Sequence, residues 1–347
     1  MARYLPIDGA RGEGGGQILR TALALSTVTG QAFEITRIRA NRSVPGLRPQ
    51  HLAAVRAAAL VSGARVGGAF DGSPDLRFEP GTLGPGEFRF EIATAGALTL
   101  VLQTVVAPLA RGGATPSRVT VTGGTHVPAS PSYHYLANHW MAVVERLGLR
   151  ASPRLVKAGF YPRGGGEATV DVRPWGGAAE ALVLERRGAL LAVRGTAGMG
   201  RIKAPVAGAL RQAAQERLWE ARRLEASWEE VTVPAASPGS FLLLEAVFEE
   251  GRAAFGFLGQ KGVRPEVLGD RAARTLLKFL GAEGAVDPHL ADQLAVPMAL
   301  GGKGGRVTTT EVSLHLETVA EIVSLFGIPA RTWGRRGGPG GLEVAPS

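Results

Sequence analysis

Two stretches far apart in the chain begin alike: His51-Leu52-Ala53-Ala54-Val55 and His315-Leu316-Glu317-Thr318-Val319. Each opens an apolar run of helical period that closes on a glycine twelve residues later, Gly63 and Gly327. A looser third copy runs from His134 to Gly148. Such a repeat constrains the architecture more than any single motif, because each copy must be one supersecondary unit built to a common plan. The spacings locate an interruption. His51 and His134 stand 83 residues apart and His134 and His315 stand 181 apart, a surplus of 98. The chain reads as three related units, with a guest domain inside the third.

The pattern between the histidines supports this. In the first unit a strand at Arg3–Asp8 enters the glycine cluster at 9–17, a helix runs from Gln17 to Val28 and stops at Gly30, and Phe33–Arg39 alternates as a strand. The His51 helix and a hairpin, Arg65–Phe70 with Asp75–Glu79, complete it. The second unit repeats the order: strand Phe88–Ala93, helix Ala97–Leu109, strand Arg118–Thr122, the His134 helix, then strands at Arg154–Ala158 and Glu167–Val172. The third begins near Leu182 and resumes with a helix at His289–Leu300, a strand at Gly305–Thr310, the His315 helix and a closing pair within Pro329–Val344. Between them, residues 183–280 carry strands at Leu190–Gly195, Glu230–Val233, Phe241–Phe248 and Ala253–Leu258, with helices at Ala204–Ala226 and Pro265–Leu280. That is enough for an α/β module of its own. The expected division is a core of 1–182 and 281–347 with an inserted domain at 183–280. All three repeats lie outside the insert, so it is expected to be dispensable for forming the cleft.

Composition narrows the partners. With no cysteine, disulfides, thiolate metal sites and thiol nucleophiles are excluded. No apolar run is long enough to span a membrane, and the N-terminus leads into no secretory signal, so a cytoplasmic protein with neither membrane nor disulfide partner is expected. A net charge of +9, carried mostly by arginine, favours a polyanion such as nucleic acid or a nucleotide, although a basic surface without such a partner has the same composition.

Three places could carry chemistry. In the cluster Gly9-Ala-Arg-Gly-Glu-Gly-Gly-Gly-Gln17, glycines let the backbone approach a phosphate while a helix points its free N–H groups at the same spot. Neither Walker nor Rossmann spacing is present. Glu13 inside the cluster suits a Mg²⁺ or Mn²⁺ bridging carboxylate and phosphate, and equally suits a plain helix N-terminus. Next, Arg37, Arg39, Arg42 and Arg48 lead to Gln50 and His51 at a helix start, a constellation for more than one phosphate, in a loop stiffened by Pro45, Gly46 and Pro49. Third, His315 heads a helix that could hold phosphate against its imidazole, with Asp292 and Gln293 in the same unit; a lone histidine is otherwise commonly structural. Gln103 sits mid-helix in an apolar run and needs a partner, protein or ligand.

Glu13-Gly-Gly-Gly-Gln-Ile-Leu-Arg20, Pro45-Gly-Leu-x-x-Gln-His-Leu52, Thr94-Ala-Gly96, Leu102-Gln-Thr104, Gly123-Gly-Thr125, Gly159-Phe-Tyr-Pro-x-Gly-Gly-Gly166 and Leu290-Ala-Asp-Gln-Leu-x-x-Pro-Met-Ala-Leu300 resemble the RNA 3′-terminal phosphate cyclase family. The likeness runs in order from about residue 5 to 330 and is weakest across 183–280. It implies an α/β (α+β) fold of three βαβαββ-type units, as in the superfamily shared with enolpyruvyl transferases, with a smaller α/β domain in the third.

The activity the resemblance implies is ATP-dependent conversion of an RNA 3′-phosphate end to a 2′,3′-cyclic phosphodiester, releasing AMP and pyrophosphate through a histidinyl-AMP and an RNA-adenylate. It puts the nucleophile at His315 and the metal contact, for Mg²⁺ or Mn²⁺, at Glu13. Phosphate-binding and active-site positions fall on Arg20, Arg39, Arg42, Gln50 and His51, and ATP-binding positions on Gln103, His289, Leu290, Ala291, Asp292 and Gln293. The chain departs from the family pattern at His289, where an aromatic Tyr is common, at Leu314 beside the nucleophile, and at His126, which replaces an acidic residue. Two other readings share the scaffold: a non-catalytic relative that assembles ribosomes, against which His315 argues, and an enolpyruvyl transferase, which needs no nucleophilic histidine. RNA identity, metal preference and oligomeric state stay open.

Overall fold

The three units close on one strand plan. A computed structural model describes residues 3–176, 180–202 and 205–347. In the first unit β1 (Leu5–Asp8), β2 (Phe33–Thr36), β3 (Arg65–Gly67) and β4 (Leu76–Glu79) form a sheet of order β1-β2-β4-β3, with α1 (Gly16–Thr29) and α2 (Pro49–Ser62) between strands. The second unit has β5 (Glu87–Glu91), α3 (Leu98–Gly112), β6 (Ser117–Gly123), β7 (Ala151–Lys157) and β8 (Gly166–Val172), in the order β5-β6-β8-β7. Its second helix is irregular: a π-helical stretch at Tyr135–Trp140 runs into α4 (Met141–Val144) and a tight final turn at Glu145–Leu147. In each unit the first pair is parallel across a helix and the remaining pairs are antiparallel.

The third unit repeats this order with β9 (Leu182–Leu184), β14 (Gly305–Thr309), β16 (Gly340–Val344) and β15 (Ala330–Gly334), and with helices α7 (Pro288–Gly301) and α8 (Leu314–Leu325). Its parallel pair, β9 with β14, is formed across the whole inserted segment. The inserted strands and helices are β10 (Leu190–Gly200), α5 (Val206–Arg222), β11 (Ala226–Thr232), β12 (Gly239–Phe248), β13 (Arg252–Leu258) and α6 (Pro265–Leu280), giving a sheet β11-β10-β12-β13. The first residue of the helix expected at Ala204–Ala226 lies outside the described residues.

Helices of the three units pack on one another at the centre, with α1 touching α2, α3, α7 and α8. One apolar core runs through all three units, and Val193, Leu210, Leu218, Leu244 and Leu276 belong to a second one under α5 and α6. Strand β6 alternates buried and less buried residues, as expected of a sheet covered on one face. Strand β12 is different, because almost every residue from Ser240 to Phe248 is buried. One of its faces packs under α5 and α6. From the other, Leu243 joins the main core, together with Ala254 of β13, and Phe241 packs on Phe160 of the second unit. The insert is thus welded to its host by apolar burial.

One expected strand is shorter than its alternation suggested. Phe33–Arg39 leaves the sheet after Thr36, and Arg37 and Arg39 take left-handed φ values of 54° and 55°. The carboxylates of Asp8 and Asp75 hold this turn, accepting from the Arg37 side chain and backbone N–H. Arg37 and Arg39 therefore do not share a strand face.

Candidate active site

A cleft of about 570 Å³ opens where the three units meet. Its wall takes Gln17 and Arg20 from α1, Gln103 from α3, His289, Asp292 and Gln293 from α7, and His315 from α8. Ala254, Phe255, Gly256 and Phe257 of β13 supply a further side. The insert therefore lines part of the cleft, so the three repeats do not supply its whole wall.

The glycine cluster is built for close approach. A Cβ on Gly15 would stand 2.2 Å from the Glu13 carboxylate, and one on Gly16 would stand 2.4 Å from His51 Nε2 and 2.8 Å from Arg20. A larger residue at either place would displace these side chains from where they stand. Gly15 precedes α1 and no side chain caps the helix, which leaves its first N–H groups free of side-chain acceptors.

The Glu13 side chain is 4 % exposed. Its Oε2 accepts from Arg42 at 2.5 Å and lies 3.9 Å from His315 Nδ1, while its backbone N–H donates to Thr318 Oγ1 at 3.0 Å. Oε1 is buried with no partner. An orphaned carboxylate oxygen beside a glycine turn fits a divalent cation or a protonated group of a ligand. No cluster of three or more His, Cys, Asp or Glu suited to a metal occurs among the described residues. Glu13 would accordingly share an ion with ligand oxygens.

His315 Nδ1 lies 2.6 Å from Gln17 Oε1, and Gln17 Nε2 donates to Asp292 Oδ1 at 3.3 Å. Because the amide nitrogen is engaged by Asp292, the amide oxygen faces the ring. A carbonyl oxygen only accepts, so Nδ1 carries the proton and Nε2 holds the lone pair. Burial lowers the pKa of His315 below 6.5, with the nearby arginines adding to that effect and Glu13 opposing it. Asp292 is pushed up to about 8 by burial and by the charge of Asp287. Arg20 is brought down to about 10 by burial and stays protonated near neutrality.

Several expected residues serve the frame. Gln50 Oε1 accepts from the N–H of Ala97, just before α3, and so ties the first unit to the second. Gln103 finds its partner in Gln293, 2.6 Å away, joining α3 to α7. His51 accepts the Arg48 backbone N–H at Nδ1 and is brought down to about 3 by burial and by Arg20, Arg39 and Arg48. Leu290 and Ala291 are fully buried in the core and absent from the cleft wall, because they face inward from the α7 turn that presents His289, Asp292 and Gln293.

The four arginines expected to converge do so only in part. Arg37 turns away to Asp8, Arg39 donates to the Val44 and Gly46 carbonyls, Arg42 holds Glu13, and Arg48 lies 3.6 Å from Asp71. Arg20, Arg39, Arg42 and His51 lie close to one another beside the glycine turn, and of the four only Arg20 lines the cleft.

Asp287, not among the residues expected at the site, is a buried polar junction with five donors. It caps α7 by accepting from the N–H of His289 and Leu290, and it accepts from the Tyr135 hydroxyl, His139 Nε2 and the Ala254 N–H. Burial alone would raise its pKa, but His139 and the other donors hold it below 3.8. An Asp immediately before Pro288 at a helix start was the legible signal.

Repeated α/β units close here on one cleft whose charged and titratable lining is Arg20, His289, Asp292 and His315, the arrangement of an enzyme site between repeats. Comparison with known proteins narrows this. The model of the RNA 3′-terminal phosphate cyclase family matches residues 11–329. An RNA 3′-terminal phosphate cyclase of Ralstonia nicotianae is 45 % identical over 325 residues, covering 94 % of this chain and 92 % of the relative. One of Salmonella enteritidis is 42 % identical over 339 residues, 95 % of each chain, and one of Pyrobaculum aerophilum is 40 % identical over 322 residues, 92 % of each. The chain belongs to the RNA 3′-terminal phosphate cyclase family and is an enzyme of it.

Proposed function

We propose that this enzyme closes RNA 3′-phosphate ends to 2′,3′-cyclic phosphodiesters at the expense of ATP, with His315 as the nucleotide carrier. The observation that carries the mechanism is the 2.6 Å bond from His315 Nδ1 to Gln17, which leaves Nε2 as the open nitrogen. Nε2 attacks the α-phosphorus, a P–N bond forms, and the P–O bond to pyrophosphate breaks. The ring becomes cationic, and Gln17 Oε1 and Glu13 stand on the Nδ1 side to steady that charge.

An oxygen of the RNA 3′-phosphate then attacks the same phosphorus and expels neutral imidazole. A cationic phosphoramidate is a good phosphoryl donor for this step. Finally the neighbouring 2′-OH attacks the activated 3′-phosphorus, loses its proton, and displaces AMP. This last step is intramolecular, so proximity removes much of its barrier. Arg20, Arg39 and Arg42 are assigned to the phosphates, and His289, Gln293 and the β13 wall to the nucleoside. A Mg²⁺ or Mn²⁺ ion held at Glu13 would neutralise the triphosphate and help pyrophosphate leave.

The test is incubation with α-labelled ATP and divalent metal, followed by denaturing electrophoresis and then addition of 3′-phosphorylated RNA. Label should enter the protein, move to RNA, and finally appear as AMP while the RNA end becomes cyclic. A protein that never carries label, or carries it with His315→Ala, overturns the mechanism.

A further inference from the structure

We propose that the loop Phe160–Gly165, with the facing edge of the insert, is the track on which the single-stranded RNA upstream of the reacting end lies, with Tyr161 stacking on a base. The inference deepens the reading above and rests on it for the direction of the strand.

Four observations carry it. First, the loop is joined to the cleft wall by a short run of packed residues. Arg20 of the cleft wall lies by Gly16 and His51, and Gln50 beside His51 packs on Gly96, where an added Cβ would stand 3.0 Å from the Gln50 side chain. Ala95, next along, lies under Gly164, whose Cβ position is 2.8 Å from the Ala95 backbone. Gly165 in turn meets Ala236 of the insert, and Arg201 donates to the Ala236 carbonyl. A strand leaving the cleft past Gln50 would cross Ala95 and reach this loop.

Second, Tyr161 is 64 % exposed, one of the few large side chains presented to solvent. An exposed aromatic ring costs solubility without adding to a core, and it offers a face on which any base can stack. Third, the exposed charges on the loop and the facing insert edge are basic: Lys157, Arg163 and Arg201. The acidic neighbours are Glu91 and Glu167, and Glu167, opposite Lys157 in the sheet, is paired with Arg89. Such a stripe suits a phosphodiester backbone and disfavours an acidic-poor protein surface as partner.

Fourth, the loop is held firmly. Ser237 Oγ accepts the Phe160 N–H at 2.8 Å and its single proton lies within reach of both the Phe160 and Gly164 carbonyls. Phe160 itself is buried against Phe241. Tyr161 is therefore presented from a fixed base, which lowers the ordering cost of stacking. The buried Phe160 and the exposed Tyr161 divide the work between anchoring and contact.

The test uses a single-stranded RNA of about a dozen nucleotides ending in a 3′-hydroxyl, which binds but cannot react, since one small fold engages roughly that length. Tyr161→Ala should weaken binding roughly tenfold, while Tyr161→Phe should bind as the parent does. Arg163→Ala with Arg201→Ala should reduce the salt slope of binding by roughly 1.4 units, about 0.7 for each phosphate contact on a single strand. Both variants should retain self-adenylation and should cyclise a dinucleotide 3′-phosphate at the parent rate, because neither touches the cleft. Unchanged affinity and salt slope in both variants would overturn the track. So would an equal loss with the dinucleotide, which would put these residues in the reaction centre. A parent protein that cyclises no RNA would sink the proposed reaction instead, and the binding contrast would still decide the surface.

Discussion

Gln17 Oε1 lies 2.6 Å from His315 Nδ1, and this bond between two units selects which ring nitrogen faces the cleft. A turned amide would have to accept from the Asp292 carboxyl instead of donating to it, and would set its own N–H groups against His315 Nδ1. Replacing Gln17 with Met should keep the length of the side chain and remove the acceptor. Self-adenylation should fall on the order of tenfold to a hundredfold, as for other partners that orient a reactive histidine, with the melting temperature little changed. Parent-like adenylation in Gln17→Met would show that the tautomer is set elsewhere.

The acidity of His315 gives a second expectation. Neutral imidazole must attack, and burial holds the ring's pKa below 6.5. Protonation removes activity as pH falls, so the acid limb of adenylation should lie below pH 6.5. A limb above that value would mean that Glu13, which pulls the other way, outweighs burial. Single-turnover labelling against pH measures it.

Much of this was legible in the sequence, for a physical reason. Repeats force equivalent topology, so the shared plan of three sheets follows from three histidine-led helices and their spacing. Surplus length locates the insert, but says nothing of how it attaches. The run Phe241-Leu-Leu-Leu-Glu-Ala-Val-Phe248 is nearly continuous in apolar residues, and such a run signals burial on two faces. That signal was present and pointed to the host. The arginine loop was harder. Alternation through Arg39 could not reveal that Asp8 and Asp75 would draw Arg37 into a left-handed turn, because those carboxylates are distant in sequence. Gln17 stood within a recognised motif, yet its role depends on two residues of the third unit.

Deleting the insert is now expected to be costly. Replacing 183–280 with a short linker would strip β13 from the cleft and remove the Ala254 N–H from Asp287. ATP binding should be lost, as followed by calorimetry. A shortened protein that is folded and still self-adenylates would show that the β13 wall is not needed.

Asp287→Asn tests the same junction more gently. One oxygen becomes an amide that cannot accept from His139 and Ala254, so a buried network is broken rather than removed. The loss of stability should be about 3–5 kcal/mol in urea unfolding. A loss under about 1 kcal/mol, the size of a single ordinary hydrogen bond, would mean that the junction is not coupled as its geometry indicates.

The two repeat-related histidines supply the last test. His51 accepts the Arg48 N–H at Nδ1, so its proton sits on Nε2. In His315 the assignment is reversed, with the proton on Nδ1 and the lone pair on Nε2. The same residue at corresponding places in two units thus carries its proton on Nε2 in one and on Nδ1 in the other, and only the second leaves Nε2 free for the attack proposed above. His51 also lies buried beside Arg20, at a pKa of about 3, where it is too weak a base to compete. Peptide mapping after labelling should place AMP on His315 alone, through a linkage that is acid-labile and alkali-stable, as a P–N bond requires. His51→Ala should still accept label, though more slowly, since it removes the support of the Gly16 turn. His315→Ala should accept none. Label on His51, or on any third residue, would show that place in the repeat rather than ring tautomer governs the chemistry.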